Sequence, residues 1–196
     1  MKKKMITLCL IVAMIAVAAI GGTLAYFTDS KETTNTFTMG SVKIELTESS
    51  WSAPANTVPG VSYAKNPVVK NTGKNDAWIR VDVILSDAAA FKTAAAKYTN
   101  TELSSMFVGL DTTNWTALTP ADGANDTLIF SFYYKTALAK ETSTSALFTA
   151  VKIPGKFTNA DMTNIGTDFT ITVQAHAIQT SDDYTTVEEA FAKYVQ

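Results

Sequence analysis

The residues able to do chemistry are few and widely spaced. Histidine occurs once, at His176, and cysteine once, at Cys9. A Ser-His-Asp arrangement would have to use His176 as its base, yet no G-x-S-x-G elbow is present to supply the serine. Zinc hydrolases draw on two or three histidines, commonly in H-E-x-x-H, and a lone histidine without an adjacent glutamate does not make that set. The reading is therefore no catalytic residues and no metal ligands, with His176 a solvated histidine on the polar face of a strand. A site built of carboxylates alone would suit calcium. Asp122–Asp126 (DGAND) and Asp182-Asp183 are the stretches to consider, but neither has EF-hand spacing, and Asp and Asn in turns bond their own backbone. Trp51, Trp78 and Trp115 could stack on sugar rings, although such residues also fill the cores and rims of sheets.

The elements that would carry these residues are strands. Val42, Ile44 and Leu46 alternate with Lys43 and Glu45; Ile79, Val81, Val83 and Leu85 alternate with Arg80 and Asp82. Leu128, Phe130, Phe132 and Tyr134 form a third apolar row, and Phe169, Ile171, Val173, Ala175 and Ala177 a fourth, opposed by Thr170, Thr172, Gln174 and His176. A period of two places one face on a core and the other in water. Further strands are expected near Asn66–Asn71, Ser105–Leu110 and Leu147–Ile153, with turns at Val58-Pro59-Gly60, Asn71-Thr72-Gly73, Asp122-Gly123 and Pro154-Gly155. Short strands punctuated in this way predict a mainly all-β chain, an antiparallel sandwich of which the jelly roll is one form. Two short peripheral helices are expected: Asp87–Tyr98 with Asp87 as cap, and Thr186–Val195. In the second, Thr186 and Glu189 fit a capping box and Val187, Ala190, Phe191 and Tyr194 share a face.

The N-terminus has the grammar of a secretory leader: Lys2–Lys4, an apolar run Met5–Ile20, then Gly21, Gly22, Thr23, Leu24 and Ala25. The run is shorter than the roughly 20 residues that span a bilayer. Thr23 and Ala25 are small enough for a peptidase, so cleavage is expected between Ala25 and Tyr26. The chain then divides into a leader, 1–25, an extended arm, 26–40, and a single domain, 41–196, which ends in a short helix. Removal of Lys2, Lys3 and Lys4 leaves the 18 acidic residues in excess by about five, which argues against nucleic acid and against anionic membrane once the leader is gone.

The run Gly22-Thr23-Leu24-Ala25-Tyr26-Phe27-Thr28-Asp29, followed by Asn35-Thr36-Phe37-Thr38-Met39-Gly40 and the strand Val42–Leu46, resembles the start of the camelysin/TasA family of secreted Gram-positive proteins. Lys65–Gly73, Asp76–Val81 and the late Ile171–Gln179 strand are also similar, while about 86–165 carries little that matches. The resemblance implies a jelly-roll fold, leader removal by a dedicated signal peptidase of the SipW type, and a place outside the cell, in matrix or at the surface. It also implies a structural role, as a homopolymer or with related matrix proteins, in biofilm fibres where the N-terminal segment of one subunit supplies a strand to the next. Tyr26, Phe27, Phe37 and Met39 would be the assembly residues. Residues 28–35 are mostly polar, so Tyr26–Thr36 reads equally well as a donor strand or as a frayed terminus. Camelysins take their name from metal-dependent cleavage of casein. That peptidase activity, or a cell-wall or carbohydrate-binding role through the tryptophans, is the alternative.

Overall fold

Each alternating row becomes a strand because its apolar parity has a common surface to cover. The computed structural model describes residues 42–50, 57–98, 103–166 and 169–194, which belong to one compact unit, Met39–Gln196. Among the described residues ten strands run in the order β1 (Ile44–Thr47), β2 (Ser62–Ala64), β3 (Val68–Asn71), β4 (Ala77–Leu85), β5 (Phe107–Val108), β6 (Trp115–Ala117), β7 (Ala121–Gly123), β8 (Thr127–Tyr134), β9 (Ala150–Lys152) and β10 (Ile171–Gln179). The central sheet is ordered β10-β4-β8-β6, with β7 returning on β8 as a hairpin. Its register sets Val83 between Val173 and Phe130, and Val81 between Ala175 and Phe132, so the three apolar rows merge into one face. A three-stranded sheet, β2-β9-β5, lies opposite. Phe107 from β5 meets Phe130 and Phe132 edge-on at 5.1 and 5.6 Å and stacks on Phe148 at 5.1 Å, which closes the core between the layers. A separate ladder joins β1 to β3. All strand pairs are antiparallel, and the domain is mainly β.

Among the described residues three α-helices accompany the sheets, one more than expected, with a short 3-10 turn at Leu103–Met106. The first, α1 (Ala88–Ala96), forms where the alanines predict it, but Asp87 does not cap it. Asp87 takes φ 54°, and its carboxylate accepts from Ser86 Oγ at 2.6 Å. The first helical N–H groups are met from the β7–β8 hairpin instead: Ala88 N–H donates to the Asp126 carbonyl and Ala89 N–H to the Asp126 carboxylate, both at 3.0 Å. This also corrects the turn expected at Asp122-Gly123. Those residues lie in β7, and the reversal is made by Ala124, Asn125 and Asp126, the last two at positive φ that Asn and Asp tolerate.

The unforeseen helix is α2 (Asn159–Ile165), started by a capping box in which Thr158 and Asp161 bond each other's backbone. α3 (Val187–Tyr194) forms as expected, with Val187, Ala190 and Phe191 buried. Tyr194 does not share that burial; it is 57% exposed, meets Tyr184 edge-on and carries Lys193 Nζ over its ring. Glu189 reaches back to Thr185 N–H at 2.8 Å, one residue further than the box pattern predicts.

The strand reading needs one larger correction. Arg80 and Asp82 do not face water. α3 covers that side of β4, building a second cluster of Trp78, Tyr133, Tyr184, Val187, Ala190 and Phe191, and Asp82 is left only 5% exposed. Strands near Ser105–Leu110 and Leu147–Ile153 shrink to Phe107–Val108 and Ala150–Lys152. Leu147 and Phe148 are nevertheless fully buried, with the Leu147 N–H satisfied by Pro67 C=O at 3.0 Å. The two Pro-Gly turns prove to be one feature. Gly60, at φ 80°, packs on Gly155 so closely that a Cβ on Gly155 would sit 3.2 Å from the Gly60 Cα.

Candidate functional site

Strand pairing, more than the sequence pattern, gives His176 its surroundings. β10 lies against β4 with His176 opposite Arg80 and Gln174 opposite Asp82. The Asp82 carboxylate Oδ2 accepts from Arg80 Nη2 at 2.8 Å, and His176 Nε2 lies 3.2 Å from the same oxygen but out of line for a hydrogen bond. The other oxygen, Oδ1, is buried without a partner among the described residues. Arg80 in turn sits over the Phe191 ring, 5.3 Å from its centroid, a cation–π contact that ties this charge cluster to α3. His176 is thus not simply a solvated histidine: it has a buried carboxylate beside it, although its side chain remains 38% exposed.

The donor set does not suit a metal. Two groups, one carboxylate and one imidazole, are short of the three protein ligands of a catalytic zinc, and a guanidinium already occupies the carboxylate oxygen they would share. Among the described residues no three His, Cys, Asp or Glu side chains converge to hold an ion. The two acidic stretches have other partners. Asp122 pairs with Lys92, Asp126 serves the α1 N-terminus, and Asp183 pairs with Lys193 at 3.0 Å. Trp78 and Trp115 are core residues, 9% and 2% exposed, and offer no sugar platform; Trp51 lies outside the described residues. An open cleft of about 430 Å³ lies where Leu103, Pro120, Leu128 and Phe130 meet, with Lys92 and Asp122 in its lining. That ion pair leaves the cleft no unpaired charge.

The residues expected to act in processing and assembly, Thr23, Ala25, Tyr26, Phe27, Phe37 and Met39, lie outside the described residues. Polar sites that the sequence reading missed are structural. Asp161, only 1% exposed, accepts from Lys97 Nζ at 2.5 Å, Tyr98 Oη at 2.6 Å and the Thr158 N–H at 2.9 Å, and so fastens α1 to α2. The Thr158-x-x-Asp161 spacing was the available signal; its distant partners had none. Asp111 accepts from Ser145 Oγ at 2.6 Å and Asn114 Nδ2 at 2.8 Å.

These contacts set the acid behaviour. The Lys97 and Tyr98 hydrogen bonds hold the Asp161 carboxyl far below the usual range, and those from Ser145 and Asn114 lower Asp111 to about 2. A carboxyl depressed in the folded state contributes stability above its unfolded value of about 4 and loses it as pH falls through the folded value. Urea midpoints are therefore expected to fall from about pH 4 down to pH 2, with part of that slope absent in Asp111→Asn and Asp161→Asn. An unchanged slope in both variants would show that other groups govern acid unfolding.

Among the described residues no helix is long and apolar enough to cross a membrane. Comparison with protein families finds a match over residues 1–101 to the model described as camelysin metallo-endopeptidase. No curated protein and no solved structure matches the chain.

Proposed function

The chain belongs to the camelysin metallo-endopeptidase family, and from that premise we propose that it is a secreted structural subunit of extracellular matrix fibres or of a related surface layer. In this reading the leader is removed after Ala25 by a dedicated signal peptidase, and the arm beginning at Tyr26 joins neighbouring copies by adding a strand. The two layers would be those of a jelly roll. The observation that carries the reading is an unpaired edge of the central sheet: β10, nine residues long, is hydrogen-bonded to β4 on one side and to no strand on the other among the described residues, although β1 lies beside it. A sheet edge of that length is a template for another strand. Repeated head-to-tail use of one arm and one edge builds a filament rather than a closed pair. The expected result is that protein recovered from the cell exterior begins at Tyr26 and forms filaments under the electron microscope. Protein that stays monomeric across concentration and pH would overturn the reading.

The family's description favours a second reading, peptide hydrolysis. It would have to use His176, whose carboxylate neighbour is already bound to Arg80. Casein cleavage by the purified full chain, lost in His176→Ala, would support it; cleavage undiminished in that variant would remove His176 from any such role.

A further inference from the structure

The residues beneath α3 are poorly matched to the helix that covers them. Trp78, Arg80 and Asp82 share a parity on β4, and the register adds His176 of β10 and Tyr133 of β8, both opposite Arg80. Four polar atoms on this face are buried without a hydrogen-bond partner among the described residues: Trp78 Nε1, Arg80 Nε, Asp82 Oδ1 and His176 Nε2. An atom buried in that way has lost its bonds to water without replacement, which weakens the closed state. The Arg80–Asp82 pair adds little to it, because desolvation offsets most of the attraction between buried charges. α3 itself holds on by three buried side chains, Val187, Ala190 and Phe191. Phe191 is the largest: its ring stacks on Tyr133 at 5.4 Å and lies 5.3 Å from the Arg80 guanidinium. The polar ties do not reach the sheet. Glu189 bonds to Thr185 in the turn that leads into the helix, and Lys193 pairs with Asp183, both of them exposed.

We propose that α3 is a lid: Val187–Tyr194 opens as one unit while the β layers stay folded, and its opening uncovers the Arg80, Asp82 and His176 cluster. The sheet does not depend on the helix. β4 keeps its ladders to β10 and β8, and its other face, Ile79, Val81, Val83 and Leu85, is at most 1% exposed in a core cluster separate from the one under α3. The hinge is the exposed pair Thr185 and Thr186. Just before it, Tyr184 is buried and its Oη donates to the Gln179 carbonyl at the end of β10, which anchors the fixed side. Once released, a helix of eight residues unfolds, since helices shorter than about 12 residues are marginal in water without tertiary support. Opening hydrates the four unpartnered atoms, which offsets part of the cost of exposing Val187, Ala190 and Phe191. What the lid closes off is a carboxylate, a guanidinium and an imidazole nitrogen on one sheet face, beside the rings of Trp78 and Tyr133.

Hydrogen exchange in the full chain reads the lid directly. After correction for intrinsic rates, the amides of Ala190–Tyr194 are expected to exchange together, at least about a hundredfold faster than those of Ile79–Leu85, and with a smaller dependence on urea because less surface is exposed. Exchange of α3 at the β4 rate would show that it opens only when the whole domain unfolds, and would overturn the proposal. A gradient, fast at Tyr194 and slow at Ala190, would mean a fraying end instead of a hinged unit, and would overturn it too. Phe191→Ala removes the main anchor. It is expected to abolish protection in α3 while Ile79–Leu85 stay protected, and to raise binding of the dye ANS several-fold as Trp78 and Tyr133 are uncovered. A Phe191→Ala chain that does not fold, or that loses protection equally in α3 and β4, would make α3 part of the core and not a lid.

Discussion

Phe91→Ala is expected to destabilise the domain by about 3–5 kcal/mol, the largest effect of any single truncation proposed here. Phe91 has no exposed surface and is the main side chain by which α1 meets the core. Its ring lies 4.6 Å from Phe169, which leads into β10, and 6.0 Å from Phe157, which precedes α2. Phe157 passes the contact on to Tyr98 at 6.2 Å, next to the Asp161 linkage. Truncation would leave a cavity between three segments that no neighbouring strand can close, because α1 is tethered at its start by Asp126 and at its end by Asp161. Phe91→Leu keeps most of the volume and should cost about 1.5 kcal/mol or somewhat more. Urea unfolding with a constant m-value reads both. A loss below about 1 kcal/mol in Phe91→Ala would mean that α1 rides on the sheet without bracing it.

The difference between what could and could not be read from the chain follows the range of the forces involved. Rows such as Leu128, Phe130 and Phe132 declare their strand locally, because alternation alone decides which side chains leave water. One face that looks polar in sequence was misread, while Lys43, Glu45, Thr172 and Gln174 are exposed as expected. Arg80 and Asp82 alternate with four buried residues and so read as solvent-facing, but what covers them is a helix about a hundred residues later, and nothing in β4 announces Phe191. The same holds for Asp126: in sequence it is a turn aspartate, and only the hairpin geometry turns its carboxylate onto the N-terminus of α1. Thr158 and Asp161 carried a local signal in their i, i+3 spacing, weakened by a helix of seven residues with little apolar content. The candidate assembly surface was half legible. The pattern of the arm and the row Ile171–Ala177 are visible in the letters, whereas the fact that β10 is an edge is a property of strand order, which no single segment encodes.

Asp82→Ala tests whether the one histidine of the chain sits in a working site or in a structural one. The loss is expected to be about 3 kcal/mol, towards the lower end for removal of one member of a buried pair because Arg80 keeps some contact with water. The side chain of Arg80 is 19% exposed and that of Asp82 only 7%. Without the carboxylate, Nη2 loses its acceptor beside an Nε that already lacks one among the described residues, and the guanidinium is left against the Phe191 ring. Replacing both partners, Arg80→Met with Asp82→Leu, removes the unpaired charge and should recover most of that loss, since apolar groups of similar volume satisfy such a position as well as an ion pair does. His176→Ala should cost no more than about 1 kcal/mol, as expected for a partner that remains partly in solvent. A structural cluster predicts this order of stabilities and unchanged filament formation in the double variant. If the double variant instead folds as well as the parent but loses an activity that the parent has, the cluster is there for chemistry, and the contact between His176 and Asp82 is where that chemistry must be sought.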